Sequence, residues 1–440
     1  MNDDAAATAK ASALAPGVQK REVFGWAMFD FANSSYTTLV ITAVFNAYFV
    51  ATIAGGAQWA TLAWTSALGV SYALIMLTAP IIGAWADLRA AKKQLLLLTA
   101  IGCVLTTAAL ALTGPGTLWL AIILIVLSNW FFSTGVNLNS AFLPELARSE
   151  SLGRVSGWGW GLGYLGGLIA LAVCVAWVMY AEARGDGPEV YVPVAMLITA
   201  GFFAAAAIPT FLFLKERAIP QGPAGALPAL VKQSFVRLAH TIRHALAFRD
   251  LATLLGCIVF YQAGIQTVVA LAAIYATQAL GFSIQQTLML ILVVNLTAAI
   301  GAFSFGSVQD RLGHRLSLAL ILVLWLVTVL VAWRANNVAT FWVAANLAGL
   351  GLGAAQSAGR ALVGYLSPEH RRAEFFGLWG LAVNLASIIG PMTYGAVTWV
   401  ADGDHRVAML STGGFFIVGL AVLALVNVAR GRAAALGEAS

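Results

Sequence analysis

Twelve apolar runs recur along this chain, near residues 24–52, 60–86, 94–113, 117–139, 154–180, 191–214, 251–279, 284–308, 316–334, 338–364, 374–400 and 407–429. About 20 apolar residues wound as a helix cross the hydrocarbon core of a bilayer, where a backbone must satisfy its own polar groups. The runs therefore predict an all-α membrane protein of twelve transmembrane helices. Composition agrees, because the chain is 60% apolar and 10% charged, against roughly 25% charged in soluble domains. The first 20 residues are Ala-rich and hold Asp3 and Asp4. With no basic start leading into an apolar core, they read as a short disordered tail rather than a secretory signal. Cys103, Cys174 and Cys257 sit in separate runs with no CxxC or His partner, so neither a disulfide framework nor a metal site is expected.

A net charge of +6 could suggest a nucleic-acid partner, but the basic residues alternate by loop. Of 24 Lys and Arg, Arg184, Arg334 and Arg406 fall in one set of loops and Arg360 inside span ten. All the others lie in the tails and the opposite loops. That asymmetry predicts cytoplasmic N and C termini in the cell (inner) membrane and argues for topology over nucleic-acid binding.

Two correspondences divide the chain into pseudo-symmetric halves. GAWADLRAAKK after span two and GSVQDRLGHR after span eight place Asp87 and Asp310 223 positions apart, and LGRVSGWGWG and RAEFFGLWG align Gly157 with Gly377, 220 apart. The expected organisation is a tail (1–23), a six-helix half (24–214), a cytoplasmic linker (215–250), a second six-helix half (251–429) and a tail (430–440). In the linker, Leu230, Phe235, Leu238, Ile242 and Leu246 recur at helical spacing among Lys232, Arg237, Arg243 and His244. This pattern predicts an amphipathic helix on the membrane surface.

Twelve spans in two halves with GxxxD and basic residues after spans two and eight resemble the major facilitator superfamily, whose loop motif reads G-x-L-A-D-R-x-G-R-K. The first copy keeps Gly83, Ala86, Asp87, Lys92 and Lys93. The second, with Gly306, Asp310, Arg311, Gly313 and Arg315, matches better. Within that superfamily, FDFANSSY (29–36), NSAFLPELA (139–147), GRVSGWGWGLGYLGG (153–167), Gln356 with Arg360, and AEFFGLW (373–379) resemble the vacuole-effluxer-like permeases. Gly359 stands where many relatives have Ser, and Trp379 where they have Tyr. The resemblance implies the major facilitator fold, a central cavity lined by spans one, four, seven and ten, and, from fungal members, release of amino acids.

Each of those spans carries a polar face. On a helix turning about 100° per residue, Asp30, Asn33, Ser34 and Thr37 share one sector. Asn129, Ser133, Asn137 and Ser140 do so in span four, and Gln262 and Gln266 lie one turn apart in span seven. In span ten Asn346, Gly349, Gly353 and Gln356 line up with Arg360. An ionised group at mid-bilayer costs about 2.5 to 3.5 kcal/mol, so Asp30 should face protein or water. It is either a proton or counter-ion site or a carboxylate that orders the inner gate near its helix N-terminus. Arg360 either snorkels to the headgroups, binds a carboxylate or phosphate of the substrate, or pairs with Asp30. The resemblance implies that Asp87 and Asp310 latch the cytoplasmic gate against spans eleven and five, with Arg154, Arg371 and Arg372 nearby. A loop cap is the plainer alternative.

Gly157, Gly159, Gly161, Gly163 and Gly166 superficially match a dinucleotide loop, but such a loop needs a strand before it and an acidic ribose ligand after it. Gly159, Gly163 and Gly167 recur every four residues, which predicts close helix packing. No HExxH, paired intramembrane carboxylates or Ser/His/Asp grouping suggests an enzyme, and no cofactor is expected. The sequence reads as a monomeric secondary transporter, proton-coupled or facilitative, moving a small polar or amphiphilic solute such as an amino acid by alternating access. A drug or lipid-like exporter and a non-transporting membrane sensor are the other readings.

Overall fold

The computed structural model describes residues 13–147, 152–217, 247–367 and 372–437, together with Phe235, Val236, Ala239, Ile242 and Arg243. In hydrocarbon an unpaired backbone group costs several kcal/mol, and among the described residues the long elements are all helices joined by short loops. An isolated bridge between Leu14 and Ala147 is the one β contact among those residues. The long helices are α1 Lys20–Ile53, α2 Ala60–Arg89, α3 Lys92–Ala109, α4 Leu118–Ser140, α5 Leu152–Ala183 and α6 Pro188–Phe213. After the linker come α7 Arg249–Leu280, α8 Ile284–Leu312, α9 His314–Arg334, α10 Val338–Leu366, α11 Arg372–Val400, α12 His405–Ala424 and the shorter α13 Val428–Gly437. Eleven, α1 to α7 and α9 to α12, are long and apolar enough to cross a membrane. For α8 the described apolar stretch is Gln285–Ala298.

The opening helix is not uniform. It is α-helical over Lys20–Tyr36, π-helical over Thr37–Ala43, broken at Val44 (φ −115°), α-helical over Phe45–Tyr48 and π-helical again over Phe49–Ile53. The widened turns begin on a β-branched run, Thr37, Thr38, Val40, Ile41 and Thr42, whose side chains crowd the preceding turn of an α-helix. The period assumed for the polar stripe thus holds from Asp30 to Ser34 and changes at Thr37.

The helices pair by one scheme used twice. α1 packs on α5 and α6, α2 on α4, and α3 on α4 and α6. In the same way α7 packs on α11 and α12, α8 on α10, and α9 on α10 and α12. The two groups meet through α2 against α11, α5 against α8, and the second half of α1 against α7. Each group is also closed by an ion pair at an equivalent place. Glu22, in the first turn of α1, meets Arg217 just past α6 at 2.7 Å, and Asp250, in the first turn of α7, meets Arg430 in α13 at 2.7 Å. A carboxylate in a first turn is favoured by the helix dipole, and here each also fastens the opening helix of a group to the end of its sixth.

The described residues nearest each end of the chain pack on the helices. Ala15 N–H donates to the Leu146 carbonyl at 3.0 Å, and α1 begins at Lys20. The expected terminal segment 430–440 is largely helix, because α13 packs on α7 and α10. In the linker, Phe235, Val236 and Ile242 are helical and exposed, while Leu230, Lys232, Arg237, Leu238, His244 and Leu246 lie outside the described residues.

The apolar core has two parts. Among the described side chains, one runs through α1 to α6 and continues into the C-terminal group at the end far from the termini, through residues such as Ala270, Ala276, Phe282, Phe341, Tyr394 and Met409. The other lies within the C-terminal group at the end that carries the termini, built on residues such as Leu254, Ile258, Trp325, Leu362 and Phe416. Among the described side chains, the groups therefore share one core at the far end and fall into separate cores at the terminal end.

Candidate functional site

The contacts of α2 with α11 change along their length, and the glycines of the two helices mark the change. At the far end a Cβ on Gly395 would strike Thr61, Leu62 and Thr65, and one on Gly69 would strike Met392 and Ile388. Toward the terminal end Gly83, Gly377 and Gly380 meet open space. The Tyr72 hydroxyl of α2 lies near both the Asn129 amide and the Ser387 hydroxyl of α11.

Asp30 sits on the terminal half of α1, packed within the N-terminal group. Its Oδ1 accepts from Asn139 Nδ2 of α4 at 3.2 Å and from Asn33 Nδ2 at 3.5 Å, and its Oδ2 lies against Gly159 of α5. Asn139 is fixed in turn by Trp26, whose Nε1 donates to the Asn139 carbonyl at 2.8 Å. The close approach of α5 rests on small residues: Gly163 packs on Ser34 and the Asp30 backbone, Gly166 on the Phe31 backbone, and Gly167 on Thr38 and Ser34. The four-residue spacing of Gly159, Gly163 and Gly167 is thus the packing seam it predicts. Among the described residues Asp30 pairs with amides and with no cation.

Ser34 belongs to the same cluster, its Oγ donating to the Asp30 carbonyl at 2.9 Å. Thr37 is half-buried where the π-helical section starts. Asn129 lies apart: it is fully buried and donates to Ser71 at 3.0 Å, joining α4 to α2 inside one group. Asn137 is exposed on α4, Gln262 is buried, and Gln266 and Gln356 are half-buried. Asn346 donates to the Trp342 carbonyl one turn back at 2.7 Å. Arg360, Asp87, Asp310, Arg154 and Arg372 occupy helical backbone, but their side chains lie outside the description, and Arg371 lies outside the described residues. The Asp30–Arg360 pair and the two gate latches therefore stay expectations. Gly359 has a clear neighbour, because the Tyr261 hydroxyl fills the space beside it that a side chain would need.

Two residues escape the polar-stripe reading. Asn139 falls outside the sector of α4 that runs through Asn129 and Asn137, although it opens the NSAFLPELA motif. Asn46 lies in the short α-helical turn between the π-helical sections of α1, is fully buried, and donates to Thr42 and Ala270 carbonyls at 3.1 Å each.

Comparison with known proteins matches residues 60–436 to the family described as vacuole effluxer Atg22 like. The chain is 27% identical over 409 residues to the MFS-type transporter YxiO of Bacillus subtilis (strain 168), covering 91% of this chain and 94% of that protein. It is 24% identical over 309 residues to autophagy-related protein 22-1 of Penicillium rubens, covering 64% of this chain and 51% of that protein. The chain thus spans about half the length of this fungal relative. Among solved structures, a bacterial homolog of the human lysosomal transporter Spinster, inward-facing and unoccupied, superposes with a TM-score of 0.70 at 13% identity, over 95% of this chain and 99% of that one.

Proposed function

The chain belongs to the vacuole effluxer Atg22-like family, and from that membership we propose that this multi-pass membrane protein is a secondary transporter working by alternating access. Its cargo in this reading is a small polar or amphiphilic solute, with an amino acid or related metabolite first to be tested. α8 completes twelve crossings, and both termini are cytoplasmic. The observation that carries the reading is the split core: the groups share apolar packing at the far end and hold separate cores at the terminal end. Such packing supports a crevice between the groups that opens on one side. With the termini inside, that side is the cytoplasm.

Rocking one group against the other around a central site is how transporters built from repeats alternate access. Asp30 is the coupling residue in this reading. Its carboxylate is held by two amides and can carry charge in one conformation and a proton in the other, since a desolvated charge without a cation is costly. Asn33 and Asn139 suit both forms, because an amide supplies N–H to a carboxylate and C=O to a carboxylic acid. The exposed Asn137 and half-buried Gln266 and Gln356 supply polar contacts for the solute.

The test is flux in proteoliposomes for a panel of amino acids and short peptides under an imposed pH gradient. Wild-type protein is expected to move at least one of them, and Asp30→Asn to lose the pH-driven component while still assembling. Full pH-driven transport by Asp30→Asn would remove Asp30 from the mechanism. No flux for any solute by a folded wild-type protein would favour a sensor.

A further inference from the structure

We infer that Asn46 is the positioning residue that holds the far end of the crevice shut, an inference that rests on the alternating-access reading above. Its amide nitrogen has two hydrogens and uses them on two carbonyls, Thr42 of its own helix and Ala270 of α7, each at 3.1 Å. Its Oδ1 accepts from the Ala47 N–H at 2.8 Å. Asn46 is fully buried and Ala270 nearly so. The amide is therefore satisfied on every side, and one of its bonds crosses between the two groups of helices.

The setting explains why an Asn stands there. The chain leaves α-helical geometry at Thr37, breaks at Val44 and widens again from Phe49. Such widened turns strand carbonyls that an unbroken α-helix would use. Asn46 takes up Thr42 C=O and so repairs the break with one hydrogen, leaving the other for α7. Close packing also holds this end, α2 lying tight against Gly395 and Met392 of α11 against Gly69, but packing sets no register. A directed hydrogen bond does. When the far end opens, the Thr42 bond can stay while the Ala270 bond must break, so a single side chain ties the irregular segment of α1 to the gate.

The expected effect is modest and measurable. Losing one neutral hydrogen bond changes a two-state ratio by roughly fivefold, so the far-open population should rise by about that factor. Asn46→Ser separates the two bonds: a Ser hydroxyl donates to the carbonyl four residues back but is too short to reach α7. Asn46→Ala removes both. The experiment places spin labels at Gln58 and Asp402, in far-end loops of the two groups, and reads their distance distribution in reconstituted full-length protein by double electron–electron resonance. Wild type should give mainly the short distance, and both variants a larger long-distance fraction. If Asn46→Ala does not assemble, Asn46→Ser decides. An assembled Asn46→Ser protein with the wild-type distribution overturns the inference. Flux measured on the same samples keeps the two ideas distinguishable: a shifted distribution without transport of any solute upholds the latch and sinks the transporter reading, and intact transport with no shift does the reverse.

Discussion

Asp30 shows what a half-buried carboxyl group draws from its neighbours. Asn33 and Asn139 give it two N–H donors, and Trp26 holds Asn139 in place. Asn139→Ala is expected to lower transport about tenfold with assembly unchanged, measured as initial flux at equal protein; unchanged flux would leave Asp30 with an ordering role alone. That Asp30 needs polar neighbours was legible, because a carboxylate in an apolar run is expensive. Asn139 was not, because a wheel built on Asn129 and Asn137 leaves it outside their sector of α4. The ion pair at Glu22 behaves differently, since Glu22 is only 1% exposed while Arg217 is 29% exposed. Arg217→Gln leaves the buried Glu22 carboxylate without its cation and should cost about 1 to 3 kcal/mol, seen as a lower melting temperature in detergent, with Glu22→Gln partly restoring it. Equal melting temperatures for wild type and Arg217→Gln would show that the pair contributes nothing.

Among the elements, α1 and α5 set the geometry of the site. Their approach depends on glycines whose missing side chains admit the α1 backbone, Gly166 against Phe31 most closely. Gly166→Ala should therefore force the helices apart, at about 1 to 3 kcal/mol for overpacking, whereas Gly161→Ala faces open space and should be silent. Size-exclusion profiles and melting curves of the two variants decide this, and equal behaviour would contradict the seam. The seam could be read from four-residue spacing, because small residues repeating on one face have one strong physical use in a membrane helix. The π-helical sections of α1 could not, since β-branched residues also occur in ordinary α-helices at a small cost, so a run of them does not by itself mark a widened turn. That is also why Asn46, the polar residue repairing the break, carried no signal in the sequence.

At the scale of the whole molecule, the repeat of helix pairings is the organising fact. Repeated motifs around Asp87 and Asp310 and around Gly157 and Gly377 already divided the chain, because loop and packing motifs recur when a fold is duplicated. The matching pairs Glu22–Arg217 and Asp250–Arg430 stayed hidden, since one half uses Glu and the other Asp and the residues that close each half lie in segments of different length. Rocking of the halves would open one end of the crevice as it closes the other. Its most direct test is double electron–electron resonance on two label pairs in the same reconstituted protein, Gln58 with Asp402 at the far end and Arg89 with Leu436 at the terminal end. On adding a transported solute or changing pH, the far-end distance should lengthen as the terminal-end distance shortens. Two distances that stay fixed, or that lengthen and shorten together, would contradict the account.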